Sequence, residues 1–371
     1  MARRRPRWLA VAGARPNFVK VAPLVAAAKA AGLALPWVHT GQHWDEALSD
    51  DVLADLGLGA PIAALAIGPG TASEQTARIL DRLPAVLAAE RPDVLLVVGD
   101  VTSTLAATLA AVHAGVAVAH VEAGLRSFDT TMPEERNRVL VDHASARLYV
   151  TEPSGVRNLA REGIDRRRVR LVGNPMIDAL RRALPEIDRR AATPSGEAVV
   201  TLHRPSNVDD PRKLAAWCKA LARLAAHLPV RFAVHPRTRA RLEAGALGDR
   251  LERAGVVVTE PLAYVDFLAR VRAARIVLTD SGGIQEEAAF LGVPCLTLRT
   301  TTERPLTVER GTNRLIGDDP TRLERAVGAM LRRPPHPRPP RTLWDGHASA
   351  RIVADLRRFD GARDGKMKPK V

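Results

Sequence analysis

Cysteine is nearly absent from the 371 residues, with Cys218 and Cys295 the only two. They fall in a helix-like and a strand-like stretch, with no metal-ligand spacing and no disulfide framework. Aromatic residues make up 4% of the chain, too few for an interleaved platform on which bases could stack. The net charge of +14 raises nucleic acid as a partner. Arginine is spread along the whole chain, however, so no nucleic-acid partner is expected. No apolar run approaches the roughly 20 residues needed to cross a membrane. The basic start Met1–Arg7 precedes Trp8–Gly13, which is too short for a secretory core and reads better as a first strand. A cytoplasmic protein without a membrane partner is expected. The glycine fingerprint G-x-G-x-x-G is also missing after the first strand, which argues against NAD, and no Walker sequence is present.

What is present is a run of short apolar strands alternating with helical patterns. The composition, 46% hydrophobic and 26% charged, suits two domains with a core each. Strands are expected at Trp8–Gly13, Pro36–Thr40, Val94–Val98, Ala117–Val121, Leu148–Val150 and Val169–Val172. Helices are expected at Asn17–Ala31, Ser73–Ala89 and Leu105–Ala114. The pattern breaks at Pro194-Ser195-Gly196 and restarts. Strands then follow at Ala198–Leu202, Val230–Val234, Gly255–Val258, Ile276–Leu278 and Val293–Leu298. This alternation predicts an α/β protein with doubly wound parallel sheets in two domains facing a cleft. The tail Asp360–Val371 is polar and is expected to be disordered.

Several strand ends carry chemistry. Ser281-Gly282-Gly283 joins a strand to a helix, where free N–H groups and a close backbone suit a phosphate. Glu286 and Glu287 follow; one could accept from a sugar hydroxyl, or both could simply suit a helix N-terminus. Arg304 lies just past the next strand. Arg15 and Lys20 flank the turn after the first strand, as ligands for an anion or as solvated charges. Asp100 and Glu122 end successive strands, with Glu134 and Glu135 following. Carboxylates gathered at one edge could include an acid–base pair. Metal binding is the weaker alternative, since no histidine lies at ligand spacing. His203-Arg204 and His235-Pro236-Arg237 each end a strand of the second domain, where a histidine could meet a phosphate or move a proton.

Assembled in order, these pieces resemble the non-hydrolysing UDP-N-acetylglucosamine 2-epimerases. The motifs are G-x-R-P-x-x-x-K (Gly13–Lys20), T-G-Q-H (Thr40–His43), G-D-x-x-S/T (Gly99–Ser103) and H-V-E-A-G-L-R (His120–Arg126). P-E-E-x-N-R (Pro133–Arg138), G-N-P (Gly173–Pro175), D-S-G-G-I-Q-E-E (Asp280–Glu287) and T-T-E-R-P (Thr301–Pro305) continue them. The resemblance implies two Rossmann-like domains of the glycosyltransferase-B type. Residues 1–175 would form the first and 176–347 the UDP-binding second, with a last helix at about 348–359 crossing back. It implies interconversion of UDP-GlcNAc and UDP-ManNAc with no metal and no cofactor, and a homodimer is expected. Asp100, Glu122, Glu134 and His203 would be catalytic. Arg15, Lys20, Phe267, Ser281, Gly282, Gly283, Glu287 and Arg304 would hold substrate. Gln42, His43 and His235 match positions of an effector site. The chain departs from the family at Pro205-Ser206-Asn207, where many members read x-E-N, and in a shorter loop from Arg126 to Pro133.

Overall fold

The computed structural model describes residues 6–41, 53–191, 193–335 and 343–359, without the side chain of Arg15. Gln42, His43 and the tail from Asp360 lie outside the described residues. The described chain divides into two compact units, the first reaching Arg181 and resuming after Arg341, the second taking Arg182–Pro340. The division falls inside one continuous helix, Pro175–Arg190.

The first unit is built on seven parallel strands: β1 (Trp8–Ala12), β2 (Trp37–His39), β3 (Ala63–Ala64), β4 (Val94–Val98), β5 (Ala117–Val121), β6 (Arg147–Val150) and β7 (Val169–Leu171). Their order is β3-β2-β1-β4-β5-β6-β7. Every residue of β1 and β4 is buried, as an apolar strand covered on both faces requires. The chain winds outward from β1 to β3 and then returns to pair β4 against β1. That reversal leaves a crevice at the carboxyl ends of β1 and β4, the usual ligand position in such sheets. The helices are α1 (Arg15–Ala30), α2 (Ala72–Glu90), α3 (Thr102–His113), α4 (Pro133–Ala144), α5 (Pro153–Arg161) and α6 (Pro175–Arg190). α2 opens on a capping box, with Thr71 Oγ1 accepting from Glu74 N at 3.2 Å and Glu74 accepting from Thr71 N at 2.8 Å. The last helix of the unit, Ala348–Leu356, packs on α1. Its first turn is capped from α6, where Asp178 accepts from Ala348 N at 3.2 Å and Ser349 N at 2.6 Å.

The second unit repeats the plan with six parallel strands: β8 (Ala198–Thr201), β9 (Val230–Ala233), β10 (Val256–Thr259), β11 (Ile276–Thr279), β12 (Cys295–Thr297) and β13 (Asn313–Leu315). Their order, β10-β9-β8-β11-β12-β13, reverses between β8 and β11. Trp217, Phe232, Leu278 and Met330 lie in its core. The helices are α7 (Pro205–Val208), α8 (Pro211–Ala225), α9 (Pro236–Ala244), α10 (Gly248–Arg253), α11 (Tyr264–Ala273), α12 (Gly282–Leu291), α13 (Pro305–Glu309) and α14 (Leu323–Arg332). The doubly wound parallel sheets agree with the expected class. β13 was not expected, because Asn313-Arg314-Leu315 has no apolar run. Its burial rests on tertiary hydrogen bonds instead: Asn313 accepts from Thr297 Oγ1 at 2.7 Å and donates to Gln285 Oε1 and Thr307 Oγ1, both at 3.1 Å.

Candidate active site

In the first unit the crevice is walled by the turns after β1, β4 and β5. Gly13 leaves β1 so closely packed that an added Cβ would lie 1.9 Å from Ser103 Oγ. Asn17, in the first turn of α1, accepts from Gly13 N at 3.2 Å and Ala14 N at 3.1 Å and donates to Val98 O at 3.0 Å. The first helix is thereby tied to the end of β4. One turn further on, the Lys20 ammonium pairs with the Glu122 carboxylate. Both are buried, at 5% and 4% exposure. Each charge therefore depends on the other to offset its lost hydration. Lys20, expected among the nucleotide-holding groups, faces this carboxylate.

Glu122 itself sits at φ +78°, in the left-handed region that non-glycine residues rarely occupy. Its N–H and that of Ala123 both donate to Tyr149 O, at 3.0 and 3.1 Å. Asp100 lies at the neighbouring strand end and pairs with Arg138 of α4. The same helix donates Asn137 Nδ2 to Asp100 O at 2.8 Å. Arg138 also reaches Glu135 at 2.7 Å. Glu135 is committed to the loop before α4, accepting from Ser127 N and Phe128 N, both at 2.9 Å. Of the adjacent pair, Glu135 thus serves structure, while Glu134 is half-buried in the first turn of α4. Arg138 and Asn137 belong to a motif that the sequence displays. Their pairing with Asp100, across nearly forty residues, is what sequence reading missed.

In the second unit the crevice lies at the ends of β8 and β11, and Asp280 is its hub. The carboxylate is fully buried. It accepts from His203 N at 3.1 Å, Arg204 N at 2.9 Å and Asn207 Nδ2 at 3.1 Å, and meets His203 Nδ1 at 3.0 Å. Burial alone would raise its pKa. The His203 charge and these hydrogen bonds outweigh it and hold the carboxyl below the usual carboxylate range. Nδ1 of His203 is turned to Asp280, and the side chain is 33% exposed. Asn207 also receives Trp217 Nε1 at 3.2 Å and donates to Leu298 O at 3.0 Å, which fixes the turn of α7.

α12 starts at Gly282 without a side-chain cap from Ser281. Its unsatisfied N–H groups and dipole make this end electropositive. A Cβ on Gly282 would come within 2.3 Å of Glu303 Oε1. Glu303 is buried with Arg299 at 2.8 Å and Arg204 at 3.7 Å. Arg304 lies 3.4 Å from Glu286 of α12, so it is tied to the same helix. Glu287 is buried on α12 beside Tyr264 of α11. Burial, then the Glu287 charge, pushes the Tyr264 phenol well above its ordinary value. Phe267 is half-buried on α11. His235 caps α9, accepting from Arg237 N at 3.2 Å, and its ring lies 5.5 Å from that of His203. Lys20, Asp100 and Glu122 thus gather in one unit. Phe267, Glu287 and Arg304 gather in the other with Ser281–Gly283, His203 and His235. The position of Arg15 in the first turn of α1 is described, but not its side chain.

Residues 26–357 match the model of the UDP-N-acetylglucosamine 2-epimerases. The chain belongs to this family. An enzyme of that name from Methanocaldococcus jannaschii is 38% identical over 358 residues, covering 93% of this chain and 97% of the relative. A crystal structure from the same organism, in complex with UDP-GlcNAc and UDP, superposes with a TM-score of 0.88 at 38% identity, covering 95% of this chain and 99% of that one. The UDP-2,3-diacetamido-2,3-dideoxy-D-glucuronate 2-epimerase of Pseudomonas aeruginosa is 39% identical over 317 residues, covering 83% of this chain and 88% of the relative. Among the described residues no helix is long and apolar enough to cross a membrane.

Proposed function

We propose that this enzyme epimerises UDP-N-acetylglucosamine at C2, reversibly, to UDP-N-acetylmannosamine. The supporting observation is the setting of Asp100 and Glu122 at adjacent strand ends, each against a buried cation, Arg138 and Lys20. A neighbouring cation favours the ionised carboxylate, the form that can accept a proton. The C2 proton of a 2-acetamido sugar is not acidic, because no carbonyl adjoins it. Elimination makes its removal feasible. As a carboxylate takes the C2 proton, the C2–H electron pair forms the C1=C2 bond and the C1–O bond to UDP breaks. The products are a 2-acetamidoglucal and UDP carrying the departing charge. Re-addition restores the C1–O bond and delivers a proton to the opposite face of C2. Two faces need more than one carboxylate, which gives Asp100, Glu122 and Glu134 distinct roles.

Charge developing on the departing diphosphate calls for donors already in place. His203, the N-terminus of α12 at Ser281–Gly283 and Arg304 supply them, with Glu287 on the ribose and Phe267 on the uracil. Arg304→Ala is expected to weaken UDP affinity by roughly ten- to a hundredfold, the equivalent of one lost charged hydrogen bond of about 1.5–3 kcal/mol. Titration calorimetry with UDP measures this. An unchanged affinity would remove Arg304 from the nucleotide site.

Incubation with UDP-GlcNAc in D₂O tests the reaction itself. Deuterium should enter C2, seen by NMR, while free UDP does not accumulate. Deuterium-free C2 would eliminate the epimerase reading and favour a UDP-sugar transferase of the same fold. The Pseudomonas relative supports a second substrate reading, a UDP-2-acetamido sugar with further substituents. Running the exchange assay over a panel of UDP-sugars separates the two. Exposed Leu80, Val112 and Leu140, on the adjoining helices α2, α3 and α4, support a second copy of the chain as partner. His235, beside His203, supports an effector contact, and a cytoplasmic location is part of the same proposal.

A further inference from the structure

Glu122 holds its carboxylate in place through a backbone that its own sequence does not favour. A non-glycine residue at positive φ is strained and persists only when its surroundings over-determine it. One side chain braces the segment on both sides of it. Asp142, on α4 and fully buried, meets the segment on both sides of Glu122. Oδ1 lies 2.6 Å from His120 Nδ1, two residues before it. Oδ2 accepts from Gly124 N at 3.0 Å, two residues after it, and from Arg126 Nη2 at 2.7 Å. Arg126 is anchored in turn by Glu162, at 2.8 and 2.7 Å. Gly124 cannot drift, because its Cα side lies against Gly155, whose carbonyl oxygen would be 2.5 Å from an added Cβ.

The other face of His120 connects this clamp to the second carboxylate. Its Nε2 lies 2.8 Å from Gly99 O, the carbonyl immediately before Asp100. A carbonyl oxygen only accepts, so the ring donates there. The Asp142 carboxyl is opposed by burial, yet His120 and Arg126 hold it below the usual carboxylate range, so it too acts as an acceptor. Nδ1 faces the Asp142 carboxylate on the other side, so the ring ties the Gly99-Asp100 turn to the turn that carries Glu122. α4 fixes both: Asn137 and Arg138 take the Asp100 side, and Asp142 takes the Glu122 side.

We propose that Asp142 and His120 are positioning residues that set the carboxylates of Asp100 and Glu122 in register for proton transfer at C2. This rests on the epimerase function proposed above. Neither residue meets substrate. Each acts by holding turns whose displacement by about an ångström can cost on the order of a hundredfold in rate.

Asp142→Asn keeps the shape and removes the second acceptor role. It is expected to lower the rate of C2 deuterium exchange ten- to a hundredfold, with KM and UDP affinity within about twofold of wild type. Asp142→Glu, which restores the charge at a longer reach, should recover part of the loss. A purely structural role predicts a lower melting temperature with an unchanged rate at temperatures where the variant is folded, and that result would overturn the proposal. Should Asp142→Asn fail to fold, ¹⁵N spectra of histidine-labelled wild type decide, with His120→Gln assigning the resonance. The His120 Nε2 that meets Gly99 O should carry hydrogen, and a bare Nε2 would overturn the clamp. Failure of the parent function looks different. If wild type exchanges no deuterium with any UDP-sugar, the epimerase reading falls, while the nitrogen spectrum still decides whether the clamp exists.

Discussion

Asp100→Asn and Glu122→Gln are each expected to lower C2 deuterium exchange by about 10²–10⁴, the usual worth of a positioned general base. UDP affinity should stay near wild type, because neither carboxylate is among the groups proposed to hold UDP. The two variants should differ in their side effects. The Asp100 side chain is 25% exposed, so Arg138 keeps Glu135 at 2.7 Å when the Asp100 charge is removed. Glu122→Gln leaves the Lys20 ammonium buried against a neutral amide, and a buried charge that has lost its partner destabilises the fold. Glu122→Gln should therefore melt lower than Asp100→Asn. Exchange followed by NMR, UDP affinity by calorimetry and thermal unfolding separate the possibilities. Near-wild-type exchange in both variants would show that neither carboxylate moves the proton. Loss of UDP binding together with exchange would show that they support the fold of the crevice rather than the chemistry.

The strand ends were legible because a parallel strand announces itself as a short apolar run, and the residue after it can be read directly. Asp100, Glu122 and His203 are located that way. The pairs between them were not legible. Lys20 and Glu122 stand 102 residues apart, and His203 and Asp280 stand 77 apart. Only the strand order β2-β1-β4-β5 and β9-β8-β11 brings them together. Nor does the sequence distinguish Glu134 from Glu135. The difference arises from the loop N–H groups of Ser127 and Phe128, which claim Glu135. The left-handed backbone at Glu122 leaves no trace in residue type, since a glycine would have been the expected occupant. Short polar elements such as β13 were missed for the related reason that hydrogen bonds to distant residues, not apolar burial, hold them in the sheet.

Asp280→Asn should produce the largest loss of stability. The carboxylate is buried without exposure, and it collects two backbone N–H groups, the Asn207 amide and the His203 ring at the junction of β8 and β11. An amide can accept at only one of its two positions, so it turns an NH₂ group toward donors. Removing one partner from a buried, hydrogen-bonded charge costs about 3–5 kcal/mol. For a unit of this size that corresponds to roughly 10 °C in melting temperature. The pH dependence identifies the cause. The folded-state pKa of Asp280 lies below its ordinary value, so its contribution is fully present above the unfolded carboxyl pKa of about 3.9 and is lost as pH falls through the lower folded value. The stability gap between wild type and Asp280→Asn should therefore stay constant from pH 8 to about 5 and narrow only below about 4. Calorimetric unfolding across that range measures it. A gap that closed well above pH 5 would show that the Asp280 carboxylate is not the titrating group, and no gap at pH 7 would show that the hydrogen bonds around Asp280 are replaced by the amide without loss. UDP affinity adds a second measure, since the same carboxylate orients His203: at a temperature where the variant is folded, Asp280→Asn should weaken UDP binding, whereas His203 oriented by other contacts would leave it unchanged.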